Sequence, residues 1–311
     1  MTHWLIANPK AGSGERGQEF WLQLLEAAGV PSPTCCAFDD SGWTDRVQAG
    51  DTVMVAGGDG SVNLGAHLCR KKQATLAVLP SGTANDFARN LGLPEEPDRV
   101  CALIAEGVTQ QVDVAEVGDK LFLNVAHIGL GTLPSREAEG THKKLFGRFS
   151  YGLGLLRRVT ATRGFKAEIR CDKGLVRGRW LSIAVASGAF FGGGNEIPEA
   201  SANDGQLDVI AVKPRPLLQL LLTFVMVRLN RRSPQRTSTI VHLKGMRCSV
   251  RTGKAKTVTA DGDVLGKTPL DVVCRPHVLS VIGPTIVGTG DRASGVSASG
   301  GQFREPASSS G

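Results

Sequence analysis

Two glycine-rich loops and two acidic turns hold the residues of this 311-residue chain whose types and spacing could do chemistry. The first loop, Gly57-Gly58-Asp59-Gly60-Ser61-Val62-Asn63, follows the apolar run Val53-Met54-Val55-Ala56 and restarts as an amphipathic segment. That order is the sequence form of a buried strand, a tight turn and a helix. Glycine lets the backbone turn with positive φ and lets a bulky group come close. A helix start facing the turn offers unpaired N–H groups and the positive end of the dipole, which favours a phosphate. A ligand-free strand-to-helix connection has the same pattern, so this loop alone does not decide. The second loop, Pro80-Ser81-Gly82-Thr83-Ala84-Asn85-Asp86-Phe87-Ala88, again follows an apolar run. The acidic turns are Asn203-Asp204-Gly205 and Asp261-Gly262-Asp263; taken singly, each reads as a tight turn.

The elements around these loops decide whether they can meet. Trp4-Leu5-Ile6-Ala7 reads as a short buried strand before the turn-rich Asn8-Pro9-Lys10-Ala11-Gly12-Ser13-Gly14. Residues 15–28 carry Phe20, Trp21, Leu24, Leu25 and Ala28 at helical spacing, with Gly29 placed to stop the helix. Strands are expected at 35–38, 53–56 and 76–79, and a helix at 61–70. Alternating strands and helices imply parallel βαβ units, whose ligands sit beyond the carboxyl ends of the strands. Residues 57–61 and 81–85 then face one crevice and can converge on one ligand.

From about residue 110 the pattern changes to period two. Residues 111–117 and 121–125 read as a hairpin about Gly118-Asp119. Further strands are expected at 166–171, 180–186, 207–212, 239–243, 247–251, 257–260, 270–273 and 278–282. Short strands separated by turns argue for a mostly antiparallel second domain. We expect an α/β domain over 1–118, a β-rich domain over 119–287 and a disordered Gly/Ser/Ala-rich tail over 288–311.

The net charge of +7 favours nucleic acid, anionic lipid or phosphorylated ligands. No nucleic-acid recognition motif accompanies the dispersed basic residues, so no nucleic-acid partner is expected. Seven cysteines without a C-x-x-C pair suit reduced thiols in a cytosolic protein. No signal peptide is read at the N-terminus. The longest apolar run, residues 217–227, is interrupted by Gln219 and Thr223 and is shorter than the ~20 residues a membrane crossing needs. Residues 141–160 and 217–232 mix basic and apolar side chains, as helices lying on an anionic membrane do; each also fits a core-packing helix with a charged edge.

Together, Asn8-Pro9-Lys10-Ala11-Gly12, the Gly57–Asn63 loop and Pro80 to Ala88 resemble the catalytic domain of the diacylglycerol kinase family, which includes soluble bacterial lipid kinases related to sphingosine kinases. Residues 203–208, 260–263 and the basic-aromatic stretch 143–151 extend the resemblance to most of residues 4–284. It implies an ATP-binding α/β domain with a parallel sheet and a mostly antiparallel β-sandwich that carries the lipid site. Carried over by motif, Gly57, Gly58, Asp59, Gly60, Ser61, Val62, Asn63, Gly82 and Thr83 would hold the nucleotide, with Asn8 and Gly12 closing the crevice. Ser61 and Thr83 can donate to phosphate oxygens. Asp59 would repel a bare triphosphate and is reasonable once Mg²⁺ lies between them.

The resemblance assigns the catalytic base to Asp263, where the family usually has glutamate, and leaves Asp261 as its rival or partner. It also implies a structural divalent ion on Asp204, with the carbonyls of Ser201 and Gln206. The activity implied is ATP-dependent phosphorylation of a membrane-lipid hydroxyl, with diacylglycerol the expected substrate. This would take place in the cytoplasm at the inner face of the membrane, with peripheral contact to anionic lipid, and a homodimer is compatible with it. Two other readings stay open: a kinase of a soluble substrate such as NAD, whose enzymes share the Gly-Gly-Asp-Gly loop, and a non-catalytic nucleotide- or lipid-binding regulator.

Overall fold

The apolar runs that open the chain form the centre of its first sheet. In the computed structural model, which describes residues 1–40, 42–129, 164–172, 174–197, 200–216 and 239–284, β1 (His3–Ala7) lies between β2 (Thr34–Ala37) and β3 (Thr52–Gly57). β4 (Thr75–Pro80) pairs with β3 on its far side, and all four strands are parallel. Every residue of β3 is buried. A parallel strand covered on both faces has no solvent side, so it reads as a continuous apolar run. Side chains alternate between the two faces. Trp4, Ile6, Val53 and Val55 pack under Val62, Ala66 and Cys69 of α2 (Asp59–Lys72). Leu5, Met54 and Ala56 pack under Trp21 and Leu25 of α1 (Gln18–Ala27) and Val100, Cys101 and Ile104 of α4 (Pro97–Glu106). Between β4 and α4 the chain makes the short helix α3 (Asp86–Asn90).

The second half is antiparallel. Its strands are β5 (Thr109–Val117), β6 (Lys120–Phe122), β7 (Val125–Gly129), β8 (Phe165–Cys171), β9 (Gly174–Trp180) and β10 (Ser182–Ala186). The two-residue pair β11 (Phe190–Phe191) and β12 (Asn195–Glu196) follows, then β13 (Leu207–Val212), β14 (Ile240–Gly245), β15 (Arg247–Thr252), β16 (Thr257–Ala260), β17 (Asp263–Lys267) and β18 (Leu270–Ile282). A six-stranded sheet runs β14-β13-β10-β7-β16-β17. It faces the antiparallel end of a ten-stranded sheet, and Phe122, Ile128, Ile169, Trp180, Val185, Val209, Val250 and Val272 share the core between them. This is the β-sandwich.

The ten-stranded sheet runs β2-β1-β3-β4-β18-β15-β8-β9, with β5 paired to β18 and β6. β18 joins its two parts: residues 270–273 lie antiparallel to β15, and Val281 pairs in parallel with Leu76 of β4. The two strands expected at 270–273 and 278–282 are therefore one, with its register shifted between Arg275 and Leu279. The run expected at 180–186 is instead divided. β9 ends at Trp180 in one sheet and β10 begins at Ser182 in the other. Among the described residues no helix is long and apolar enough to cross a membrane. All seven cysteines are free thiols. The expectations for residues 141–160, 217–232 and 288–311 fall outside the described residues.

Candidate active site

The carboxyl ends of β1, β3 and β4 bring three loops to one edge. Asn8 donates its backbone N–H to Ala56 O (2.8 Å) and Ser81 to Gly57 O (3.1 Å), so the loops continue the sheet register. They then touch. A Cβ on Gly12, whose φ is +56°, would lie closer than 3.0 Å to the carbonyl oxygen of Ser81. One on Gly82 would lie equally close to the Cα of Gly58. Only glycine allows backbones this near.

Where the loops meet there is an open cleft of about 420 Å³. Asn8, Gly12, Gly58, Asp59, Gly60, Ser61, Asn63, Gly82 and Thr83 all line it, and so does Asp263 from β17, some 200 positions away. Lys10 and Ala11 of the first motif, to which the sequence assigned no role, complete the wall with Phe38 and Leu64, which it did not single out. Two expected members fall elsewhere. Val62 is buried in the core on the sheet side of α2. Gly57 ends β3 buried behind Ser61, whose Cβ fills the space a side chain there would need.

The first turn of α2 forms the floor. No side chain caps this 14-residue helix at Gly58, so its first N–H groups are left for a ligand or water. Ser61 Oγ accepts from Asn8 Nδ2 (2.8 Å), which leaves the hydroxyl hydrogen as a donor. Asp59 is held by three donors: Phe87 N to Oδ1 (2.9 Å), Asp86 N to Oδ2 (3.2 Å) and Asn124 Nδ2 to Oδ1 (3.2 Å). The carboxylate thus stands at the N-terminus of α3, where its charge is favoured.

Asp261 is a second anchor. Its Oδ2 accepts from Leu123 N (2.7 Å) and Asn63 Nδ2 (3.0 Å), and its Oδ1 from Asn124 N (3.0 Å) and Val125 N (3.3 Å). Residues 123 and 124 therefore spend their N–H groups on a carboxylate, and the strand expected at 121–125 breaks into β6 and β7. Burial pushes the Asp261 carboxyl up to about 6, against the pull of these hydrogen bonds, and Asp59 nearby adds to the rise. Asp263 is exposed; its Oδ2 lies 3.6 Å from where a Cβ on Gly60 would be, over the start of α2. One acid is turned into the protein and the other towards the cleft.

Sequence reasoning missed Asn124 and Asn90. Asn124 joins Asp59 to Asp261 and donates nothing to a regular ladder. Asn90 Oδ1 accepts from Ala189 N (2.8 Å) and Phe190 N (3.0 Å), and its Nδ2 donates to Asn124 Oδ1 (2.8 Å). Neither lies in a glycine-rich stretch, and both act on groups distant in sequence, Asn124 on the Asp59, Asn90 and Asp261 side chains and Asn90 on two backbone N–H groups.

Asp204, Ser201 and Gln206 do not line the cleft. Asp204 Oδ1 accepts from Gln206 N (3.0 Å), Oδ2 is 3.0 Å from Lys244 Nζ, and Ser201 Oγ donates to Asn203 Oδ1 (2.6 Å). Among the described residues no group of three or more His, Cys, Asp or Glu side chains is placed to hold a metal ion.

The family model for the diacylglycerol kinase catalytic domain matches residues 2–117. The model for the YegS C-terminal NAD kinase beta sandwich-like domain matches residues 125–283. A Cronobacter sakazakii protein named "Probable lipid kinase YegS-like" is 32% identical over 289 residues, covering 89% of this chain and 94% of that protein. A Bacillus subtilis diacylglycerol kinase is 28% identical over 272 residues, covering 85% of this chain and 89% of its own length. The crystal structure of a candidate diacylglycerol kinase from Bacillus anthracis aligns with a TM-score of 0.74 at 27% identity, over 91% of this chain and 97% of that one.

Proposed function

Because the chain belongs to the diacylglycerol kinase family and is a lipid kinase, we propose that its substrate is diacylglycerol, phosphorylated at an anionic membrane surface with Asp263 as the base. Kinase activity implies the use of ATP, and the cleft's residues suit ATP with Mg²⁺. Glycines keep side chains out of the space, helix N–H groups and the Thr83 hydroxyl offer donors, and the Asp59 carboxylate at the start of α2 offers a metal ligand. The observation that carries the reading is the meeting of Asp263 with Asp59 and Thr83 in one cleft.

The Mg²⁺-bound nucleotide supplies the transferable phosphoryl group together with the positive charge that offsets Asp59. The N-terminus of α2, Ser61 and Thr83 orient the phosphate oxygens, and the donors on Asp59 keep its carboxylate from swinging. Asp263 accepts the proton of the lipid hydroxyl. Its side chain is one methylene shorter than the usual glutamate, and its place at the first residue of β17 already sets it over Gly60. Strong basicity is not required of it, since the transition state is loose and positioning supplies most of the acceleration. Lys166, Arg170, Arg177 and Arg179 are exposed on β8 and the edge strand β9, an excess of cations over the one Glu168 that pairs with Arg170 and Arg177, and with the net charge of +7 they favour an anionic bilayer. The working location is then the cytoplasmic membrane surface.

Radiolabelled ATP offered with vesicles of diacylglycerol and anionic phospholipid, in parallel with NAD, tests this. The expected product is labelled phosphatidic acid, formed only with divalent cation present. Label in NADP, or in another lipid while diacylglycerol stays unlabelled, would overturn the substrate assignment.

A further inference from the structure

Three carboxylates gather away from the cleft, where the loop 201–206 meets β13 and β14. Asp113 is buried and satisfied within the chain, taking Gly205 N on Oδ2 (2.6 Å) and His277 N on Oδ1 (2.9 Å). Asp208 is also buried. Its Oδ1 is 2.5 Å from Nε2 of the buried His242, and its Oδ2 is 3.5 Å from Lys244 Nζ. Asp204, at the loop, places Oδ2 3.0 Å from the same Nζ. The position of Lys244 is no accident of a floppy side chain, because β13 and β14 pair Asp208 directly opposite Lys244. Asp208 and Asp204 outweigh the cost of burying this ammonium and raise its pKa above the ordinary lysine value.

We propose that Lys244 is the built-in counter-cation of Asp204 and Asp208, and that this chain holds its 201–206 loop without a divalent ion there. A Mg²⁺ or Ca²⁺ ion bound to Asp204 would sit roughly 2.0–2.6 Å from a carboxylate oxygen and need several more oxygen donors. It would then lie within a few ångströms of the ammonium, and like charges at that range repel strongly in a partly buried site. Bonds within the chain already hold the loop closed. Gln206 N–H closes on Asp204, Ser201 on Asn203, Gly205 N–H on Asp113, and Asp113 N–H on Ala202 O (2.8 Å). Removing the ammonium leaves the buried Asp208 carboxylate with His242 as its remaining charged or ionisable partner among the described residues.

Thermal unfolding of the nucleotide-free full chain tests the assignment and measures no phosphoryl transfer. The midpoint of the native protein should show no shift between EDTA and millimolar Mg²⁺ or Ca²⁺ that depends on Asp204. Lys244→Met should lower the midpoint in EDTA by on the order of 5 °C, and Lys244→Arg, which keeps the charge, by less. A cation-induced rise in the native protein that Asp204→Asn abolishes would overturn the proposal, as would a Lys244→Met protein as stable as native. The native and Asp204→Asn comparison decides it even if Lys244→Met does not fold.

Discussion

Asp261 and Asp263 are two positions apart in sequence, yet their side chains meet opposite environments, one bonded within the protein and one facing the cleft. Residues 261 and 262 form the turn of the β16–β17 hairpin with φ of +49° and +97°, so Asp-Gly here serves as a tight turn and as part of the site at once. The turn itself was legible, because aspartate and glycine tolerate positive φ. What the Asp261 side chain does was not, since its backbone donors lie some 137 positions earlier. Its pKa of about 6 lies above the ordinary 3.8, so the folded state binds this proton more tightly than the unfolded chain. The stability this group contributes is full below about pH 4 and is lost as pH rises through about 6. Asp261→Asn keeps the turn but sets an amide NH₂ among N–H donors. We expect it to cost about 1–3 kcal/mol at neutral pH and to flatten the change in stability between those pH values. Urea unfolding of both proteins across the range measures this.

At the scale of elements, the legibility of strands followed burial. β3 and β4 were evident because both faces are covered and the sequence is unbroken in its apolarity. α4 escaped although Pro97 begins it, Val100, Leu103 and Ile104 recur at helical spacing, and Gly107 ends it at φ +67°. β9 escaped because it is an outer strand whose Arg177, Gly178 and Arg179 are exposed, leaving no alternation to read. The glycine loops were legible as loops, and their contact with each other was a matter of geometry. That contact is testable. Gly12→Ala places a Cβ against the Ser81 carbonyl at a positive φ and must part the loops. Affinity for ATP should fall about tenfold, equivalent to ~1.4 kcal/mol, read by calorimetric titration. Unchanged affinity would remove these loops from the nucleotide site.

Over the whole molecule, the cleft belongs to both halves of the chain. α3 follows β4 of the parallel part, and its N–H groups hold Asp59. From its other side Asp86 accepts Gly193 N (2.9 Å) and Gly194 N (2.8 Å), while Asn90 accepts the N–H groups of Ala189 and Phe190. Asn124 joins Asp59 to the β6–β7 break, and Asp261 closes that break from the β16–β17 turn. A fold read as two domains is thus bonded across the line between them, by polar contacts that no local pattern announces. The same bonding carries Asp263 to the mouth of a site built by residues 8–83. The rate of phosphoryl transfer to diacylglycerol by Asp263→Asn, measured beside native protein and Asp263→Glu at saturating ATP, tests this most directly. We predict a fall in kcat of about 10²–10⁴-fold for asparagine, with ATP affinity and thermal midpoint unchanged and much of the rate retained by glutamate. Transfer by Asp263→Asn at the native rate would contradict the account.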